Sequence, residues 1–150
     1  ASQVANIGKI VVSENVILTA DHTLSACVYE FPKRKEFAGC YTLVDGSDVW
    51  SLRVKRVLGQ ADDLVGIVAP ATGLARLHDS YSYCENNQGN AYGIAILGAG
   101  SVDSQDSRFY GCSVANKLGY GAYNDPACEG DLYVRGADSE LFGSTDPCNL

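Results

Sequence analysis

The sequence predicts an all-β fold: a mainly antiparallel β-sandwich or barrel with one short helix, formed as a single domain over residues 1–150 and stapled by disulfides. Three observations carry that expectation. Short apolar runs recur along the chain, broken by Gly, Asn, Asp and Pro. Six cysteines are spaced widely, with no C-x-x-C pair. Sixteen glycines and nine tyrosines suit tight turns between short strands.

Taken in order, Ile7–Val12 and Val16–Ala20 are β-branched runs separated by Ser13-Glu14-Asn15, which reads as a hairpin. Ala26–Phe31 is an expected strand ended by Pro32. Cys40–Val44 is another, closed by the turn dipeptide Asp45-Gly46. Val49–Leu58 alternates most clearly. Trp50, Leu52 and Val54 fall on one face, and Ser51, Arg53 and Lys55 on the other. Arg56 and Val57 break that register, so a bulge or strand end is expected there. Leu64–Val68 reads as a short buried strand. Leu74–His78, after Pro70, is the expected helix. Tyr81–Cys84, Ala91–Leu97, Phe109–Ala115 and Asp131–Arg135 read as further strands. Asn86–Asn90 and Gly100–Ser107 read as surface loops.

Composition narrows the function classes. Hydrophobic residues make up 46% and charged residues 19%, enough for an apolar core and wrong for a disordered chain. Net charge is −7. Residues 1–56 carry seven Lys and Arg against six Asp and Glu, while residues 57–150 carry four against twelve. Nucleic acid is a poor partner for such a chain, because phosphate neutralisation needs many cations. Ala91–Leu97 and Leu64–Ala71, the longest apolar runs, fall well short of the ~20 residues of a membrane span. There is no methionine, so a processed start is expected. Cys27, Cys40, Cys84, Cys112, Cys128 and Cys148 form an even set that suits an oxidising compartment, so a secreted, extracellular protein is expected. Cys27 and Cys40 flank the Pro32–Lys35 turn and are the expected short-loop bridge. Cys148 is expected to tie down the C-terminus, to Cys128 or Cys112.

Catalytic options are few. The two histidines are His22 and His78. Leu18-Thr19-Ala20-Asp21-His22-Thr23 resembles the histidine segment of trypsin-like serine proteases, but no Gly-Asp-Ser-Gly segment follows. Gly111-Cys112-Ser113-Val114-Ala115 approximates a nucleophile elbow, yet both histidines precede Ser113, the wrong order for that fold. Asp62-Asp63, Asp103 with Asp106, and Asp125 with Glu129 and Asp131 are acidic loops without an EF-hand pattern. Lys33-Arg34-Lys35 is a basic turn that could meet an anionic partner. No N-x-S/T sequon occurs.

Tyr29-Glu30 followed by Phe37-Ala38-Gly39 resembles the βγ-crystallin Greek-key signature, and Ser51-Leu52-Arg53-Val54 resembles that family's closing strand. Phe109-Tyr110-Gly111 and Asp131-Leu132-Tyr133-Val134 stand where a second copy would. Trp50 and Gly46 replace the residues that help hold calcium in that family, so no metal is expected, and no cofactor. In format the chain also looks like the small cysteine-rich proteins that microbes secrete, fungal effectors and toxins above all. That resemblance implies a non-enzymatic binding protein acting on a protein or glycan receptor of a host or competitor, with no nucleic acid partner, as a monomer. Lys33, Arg34, Lys35, Tyr81, Tyr83, Asn86, Asn87 and Asn90 are the expected contact residues, since loops carry recognition on such scaffolds. The alternatives are a secreted hydrolase with a carboxylate or His22 site, and a crystallin-like protease inhibitor.

Overall fold

The computed structural model describes residues 9–13 and 20–144. Fifteen strands lie among them, and every pairing between them is parallel. The chain coils into a β-solenoid of about four turns.

Three sheets form its sides. Sheet A stacks β1 (Lys9–Val11), β3 (Val28–Glu30), β5 (Asp48–Trp50), β8 (Leu74–His78), β11 (Ser101–Gln105) and β14 (Leu132–Arg135). Sheet B stacks β2 (His22–Thr23), β4 (Tyr41–Thr42), β7 (Leu64–Val68), β10 (Ala91–Ile96) and β13 (Gly119–Asn124). Sheet C stacks β6 (Arg53–Leu58), β9 (Tyr81–Asn86), β12 (Arg108–Cys112) and β15 (Glu140–Ser144). From β5 onward the chain runs A, C, B and repeats.

Register gives the coil length. Leu64 pairs with Ala91 and Ala91 with Gly119, so each of these later circuits closes after nearly the same length of chain. The first circuits are shorter. Lys9 pairs with Val28 and Val28 with Asp48. Those circuits have no sheet C strand among the described residues. A single bridge from Phe37 to Val54 takes its place.

Parallel stacking lines up equivalent side chains. Tyr41, Ile67, Ile94 and Ala122 form one inward column of sheet B. Val49, Leu77 and Val102 face them from sheet A, with Val54 and Phe109 from sheet C and Leu52 from the corner before it, all fully buried. Each buried Leu or Phe contributes roughly 1.5–3 kcal/mol relative to exposure.

The corners are built from polar residues. Ser51, Asp79 and Asp106 turn from sheet A to sheet C with φ of 61°, 48° and 50°, and Gly136 does so at 97°. Asp tolerates this left-handed region better than most residues. Ser80 and Ser107, both buried, brace the same corner. The Ser80 hydroxyl accepts from the Leu52 amide at 3.2 Å and donates to the His78 carbonyl at 3.1 Å. The Ser107 hydroxyl accepts from the Ser80 amide at 3.1 Å and donates to the Gln105 carbonyl at 3.1 Å. At the C-to-B corner, Asn86 is fully buried. Its Oδ1 accepts from the amides of Gln60, Gln88 and Gly89, and its Nδ2 donates to the carbonyls of Asp62 and Asn90.

Sheets B and C approach so closely that several of their facing positions are glycine. A Cβ at Gly111 would stand 2.0 Å from the Tyr120 carbonyl oxygen and 2.5 Å from that of Ala91. Gly93 faces the Tyr110 amide in the same way, at 2.7 Å.

Several expectations fail against this architecture. The antiparallel sandwich or barrel is replaced by a parallel solenoid. Asp45-Gly46 is a corner, with Gly46 at φ 91°, and it leads from sheet B to sheet A. The expected helix at Leu74–His78 is strand β8. The expected loop at Gly100–Ser107 contains β11. Val49–Leu58 is two strands broken at Ser51, which reverses the alternation and puts Trp50 outside. The hairpin expected over Ile7–Ala20 falls largely outside the described residues, and β1 pairs in parallel with β3. The crystallin-like motifs lie on parallel coils: Phe37 is core, and Ser51-Leu52 is a corner.

Most of the expected disulfide framework is also overturned. Cys27, Cys40, Cys84 and Cys128 are free thiols, so the expected Cys27–Cys40 bridge is not formed. Cys112 is disulfide-bonded, though to none of those four, and Cys148 lies outside the described residues. Parallel coils do not need staples, since each is held by the ladders of its neighbours.

Two measurements test this arrangement. A thiol reagent added to the native protein modifies Cys27, which is exposed, and spares Cys84, which is fully buried and whose pKa burial pushes up to about 12. Equal rates at the two would contradict the packing. Gly111→Ala lowers unfolding free energy by about 3 kcal/mol or more in urea melts, since the backbone must separate to admit a methyl group.

Candidate functional site

Outward positions of a solenoid sheet also form columns, one residue per coil, about 4.8 Å apart. On sheet A one column reads Asp48, Arg76, Asp103, Tyr133, and the next reads Glu30, Trp50, His78, Gln105, Arg135.

Its side chains are held by one another. His78 Nε2 lies 2.7 Å from Asp48 Oδ1. The His78 ring stacks on the Trp50 indole, with centroids 3.9 Å apart and planes 9° from parallel. Trp50 nonetheless remains 43% exposed. Arg135 Nε donates to Asp103 Oδ1 at 2.9 Å, and its guanidinium lies 5.8 Å from the Tyr133 ring centre. Lys9 pairs with Glu30 at 2.9 Å at the far end. Arg76 is exposed between the registers of Asp48 and Asp103, with no ion pair among the described residues.

Beside this face, the A-to-C corner carries a small polar cavity of about 110 Å³. Arg53, Asp79, Tyr81, Asp106, Arg108 and Asp138 line it. Arg53 approaches Asp79 at 4.0 Å, and Arg108 Nε donates to the Asp138 carbonyl at 3.3 Å. Face and corner together present donors and acceptors beside the rings of Trp50, Tyr133 and Tyr81.

The outer face of sheet C is different. Tyr81, Tyr83 and Tyr110 pack together, with Phe142 against Tyr110. The Tyr83 hydroxyl donates to Glu85 at 2.6 Å, and that of Tyr110 donates to Glu140. Burial, followed by those hydrogen bonds, raises both phenol pKa values, that of Tyr110 to about 12. On sheet B, Tyr92 stacks on Tyr123 with centroids 4.3 Å apart, and burial, then the Asp63 charge, lifts its pKa to about 12.

The structure scatters the residues expected to make contacts. Lys33 and Arg34 are exposed and Lys35 half-buried, in the turn between β3 and β4. Tyr81 lines the corner cavity, while Tyr83 is 5% exposed and committed to Glu85. Asn86 is a buried corner brace. Asn90 links coils, donating to Asp63 and accepting from the Leu118 amide. Asn87 is exposed. Asp48, Trp50, Arg76 and Arg135 escaped sequence reasoning as site residues, and His78 and Asp103 were weighed only as a catalytic histidine and an acidic loop. Their signal was there: charged residues recur at Asp48, Arg76 and Asp103, each one coil length beyond the last.

His78 with Asp48 is half of a catalytic arrangement. Among the described residues neither histidine meets a hydroxyl or thiol nucleophile within hydrogen-bond distance. His22 lies instead in an apolar recess. No group of three or more His, Cys, Asp or Glu side chains is placed to hold a metal among the described residues, and no helix is long and apolar enough to cross a membrane. Comparison of the chain with protein families, curated proteins and solved structures gives no match.

The buried phenols fix a pH response. Their folded pKa values are raised above the ordinary value of about 10, so their contribution to stability is complete below that pH and is lost as pH climbs toward about 12. The melting temperature is therefore steady from neutral to about pH 9.5 and falls steeply above pH 10, alongside delayed tyrosinate absorbance. Tyrosines that all titrate normally, with no alkaline loss of stability, would contradict the packing of sheets B and C.

Proposed function

We propose that this protein is a non-enzymatic binding module that holds an elongated, neutral polysaccharide along the outer face of sheet A and its corner with sheet C. One observation carries the reading: Trp50 is exposed yet fixed flat against His78, in the middle of rows of ordered polar side chains.

The chemistry fits a sugar. A pyranose presents C–H bonds that lie well on the negative face of an aromatic ring, and hydroxyls around its rim that both donate and accept. Asp48, Arg76, Asp103 and Gln105 offer both kinds of partner from adjacent coils. A flat, repeating face suits a repeating ligand better than a compact one. Net charge of −7 disfavours polyanions, which include the acidic glycans. Preformed side-chain pairs reduce the ordering cost on binding.

The free thiols Cys27, Cys40, Cys84 and Cys128 take most of the weight from the disulfide argument for an oxidising compartment. Work outside the cell, where such polymers are met, belongs to the same proposal and rests on the ligand alone.

Affinity electrophoresis through gels containing xylan, mixed-linkage β-glucan or hydroxyethyl cellulose tests it. At least one polymer retards the protein, and Trp50→Ala weakens retention about tenfold or more, as loss of an aromatic contact of ~1.5 kcal/mol implies. Retention unchanged in Trp50→Ala, or no retention by any polymer, would overturn the proposal.

A further inference from the structure

The N-terminal end of the solenoid holds a second, unrelated site. A recess of about 200 Å³ lies inside the first coils, lined by Val12, His22, Leu24, Tyr29, Phe31 and Tyr41. Four features set it apart from ordinary packing.

The first is its lining, which is almost wholly apolar. Leu24, Phe31 and Tyr41 are all buried. Second, two polar atoms are stranded in it. His22 Nε2 and the Tyr41 hydroxyl are buried with no hydrogen-bond partner. Buried polar atoms are nearly always paired, and an unpaired one costs the desolvation of that group. Third, the two rings are neighbours, with centroids 5.2 Å apart and planes tilted by 34°. Fourth, the aromatic wall is rigidly placed. Phe31 and Phe37 meet Tyr41 edge to face at 5.7 Å and 5.9 Å.

Water satisfies orphaned atoms where a site offers it two to four polar partners. This recess offers two, in otherwise apolar walls. An apolar cavity of roughly 150 Å³ accommodates benzene. The recess is somewhat larger and adds hydrogen-bonding capacity at one place. A ring with a single hydroxyl matches it: the ring meets Leu24, Phe31 and Val12, and the hydroxyl serves both stranded atoms. A hydroxyl donates and accepts at once, so it suits either tautomer of His22.

We propose that this recess is a binding site for a small phenol or aromatic alcohol, with His22 and Tyr41 gripping the hydroxyl. The site is independent of the polysaccharide face, because Trp50 and its row point outward from sheet A while the recess opens on the core of the first coils.

Phenol and toluene serve as probes, matched in ring and differing in the hydroxyl. Titration calorimetry and tyrosine chemical shifts follow binding to the full chain. Phenol binds with 1:1 stoichiometry and about tenfold or more tighter than toluene, because only phenol pairs the stranded atoms. Tyr41→Phe keeps the ring and the packing, and brings the two probes within about threefold of each other. Trp50→Ala leaves phenol binding unchanged, which separates failure here from failure of the polysaccharide reading. Equal affinity of the native protein for the two probes would overturn the assignment of the hydroxyl grip. No binding of phenol, together with a higher melting temperature for Tyr41→Phe, would show a purely structural orphan pair and overturn the site.

Discussion

The hydrogen-bond ladder between one coil and the next is the constraint on which everything else depends. Every strand pairs with its equivalent a full circuit away along the chain, as Leu64 does with Ala91 and Ala91 with Gly119. Each coil alone buries too little to persist, and its neighbours supply the missing surface. Stability is therefore shared along the axis rather than concentrated in a central core. The corner residues serve the ladder. Ser51, Asp79 and Asp106 keep their amides in it, donating to the carbonyls of His78, Gln105 and Arg135 at 2.9 Å each.

The same ladder decides what the surface can be. Side chains on the outside repeat at the strand spacing, so a polar row on one coil sits beside a polar row on the next. Sheet A uses this to pair Asp48 with His78 and Asp103 with Arg135 across coils. Such half-exposed pairs contribute little to stability, about 0–1 kcal/mol each. Their effect is geometric: they fix the direction in which Trp50, Arg76 and Gln105 are presented. Sheet C uses its outer face differently, for a packed aromatic cluster whose hydroxyls are already committed to Glu85 and Glu140.

Closeness of sheets B and C explains where the glycines went. Gly93, Gly111 and Gly121 stand where one backbone meets another, and a methyl group has no room. The early coils lack a sheet C strand among the described residues, and Phe31, Phe37 and Tyr41 fill their interior. One molecule thus contains a tightly packed, glycine-lined seam and, at the other end, an aromatic recess with two unpaired polar atoms.

Strand content was legible in the sequence because it rests on local alternation. Leu64–Val68 matches β7 residue for residue, and Ala91–Leu97 and Asp131–Arg135 match β10 and β14 within one residue at an end. Ala26–Phe31 and Cys40–Val44 enclose the shorter β3 and β4. Direction was not legible. A parallel and an antiparallel strand have the same alternation, and Asp45-Gly46 suits a hairpin and a corner equally. Leu74–His78 read as helix because so short a segment does not separate a two-residue period from a helical one. The site was hidden for a related reason. Asp48, Trp50, Arg76, His78 and Asp103 are far apart in the chain, and only the coil length makes them neighbours. Local alternation determined that this chain is a β-rich protein. The tertiary structure alone decided that its strands stack in parallel, that most of its described cysteines stay free and that Trp50 faces outward, because each depends on which residue lies one circuit away.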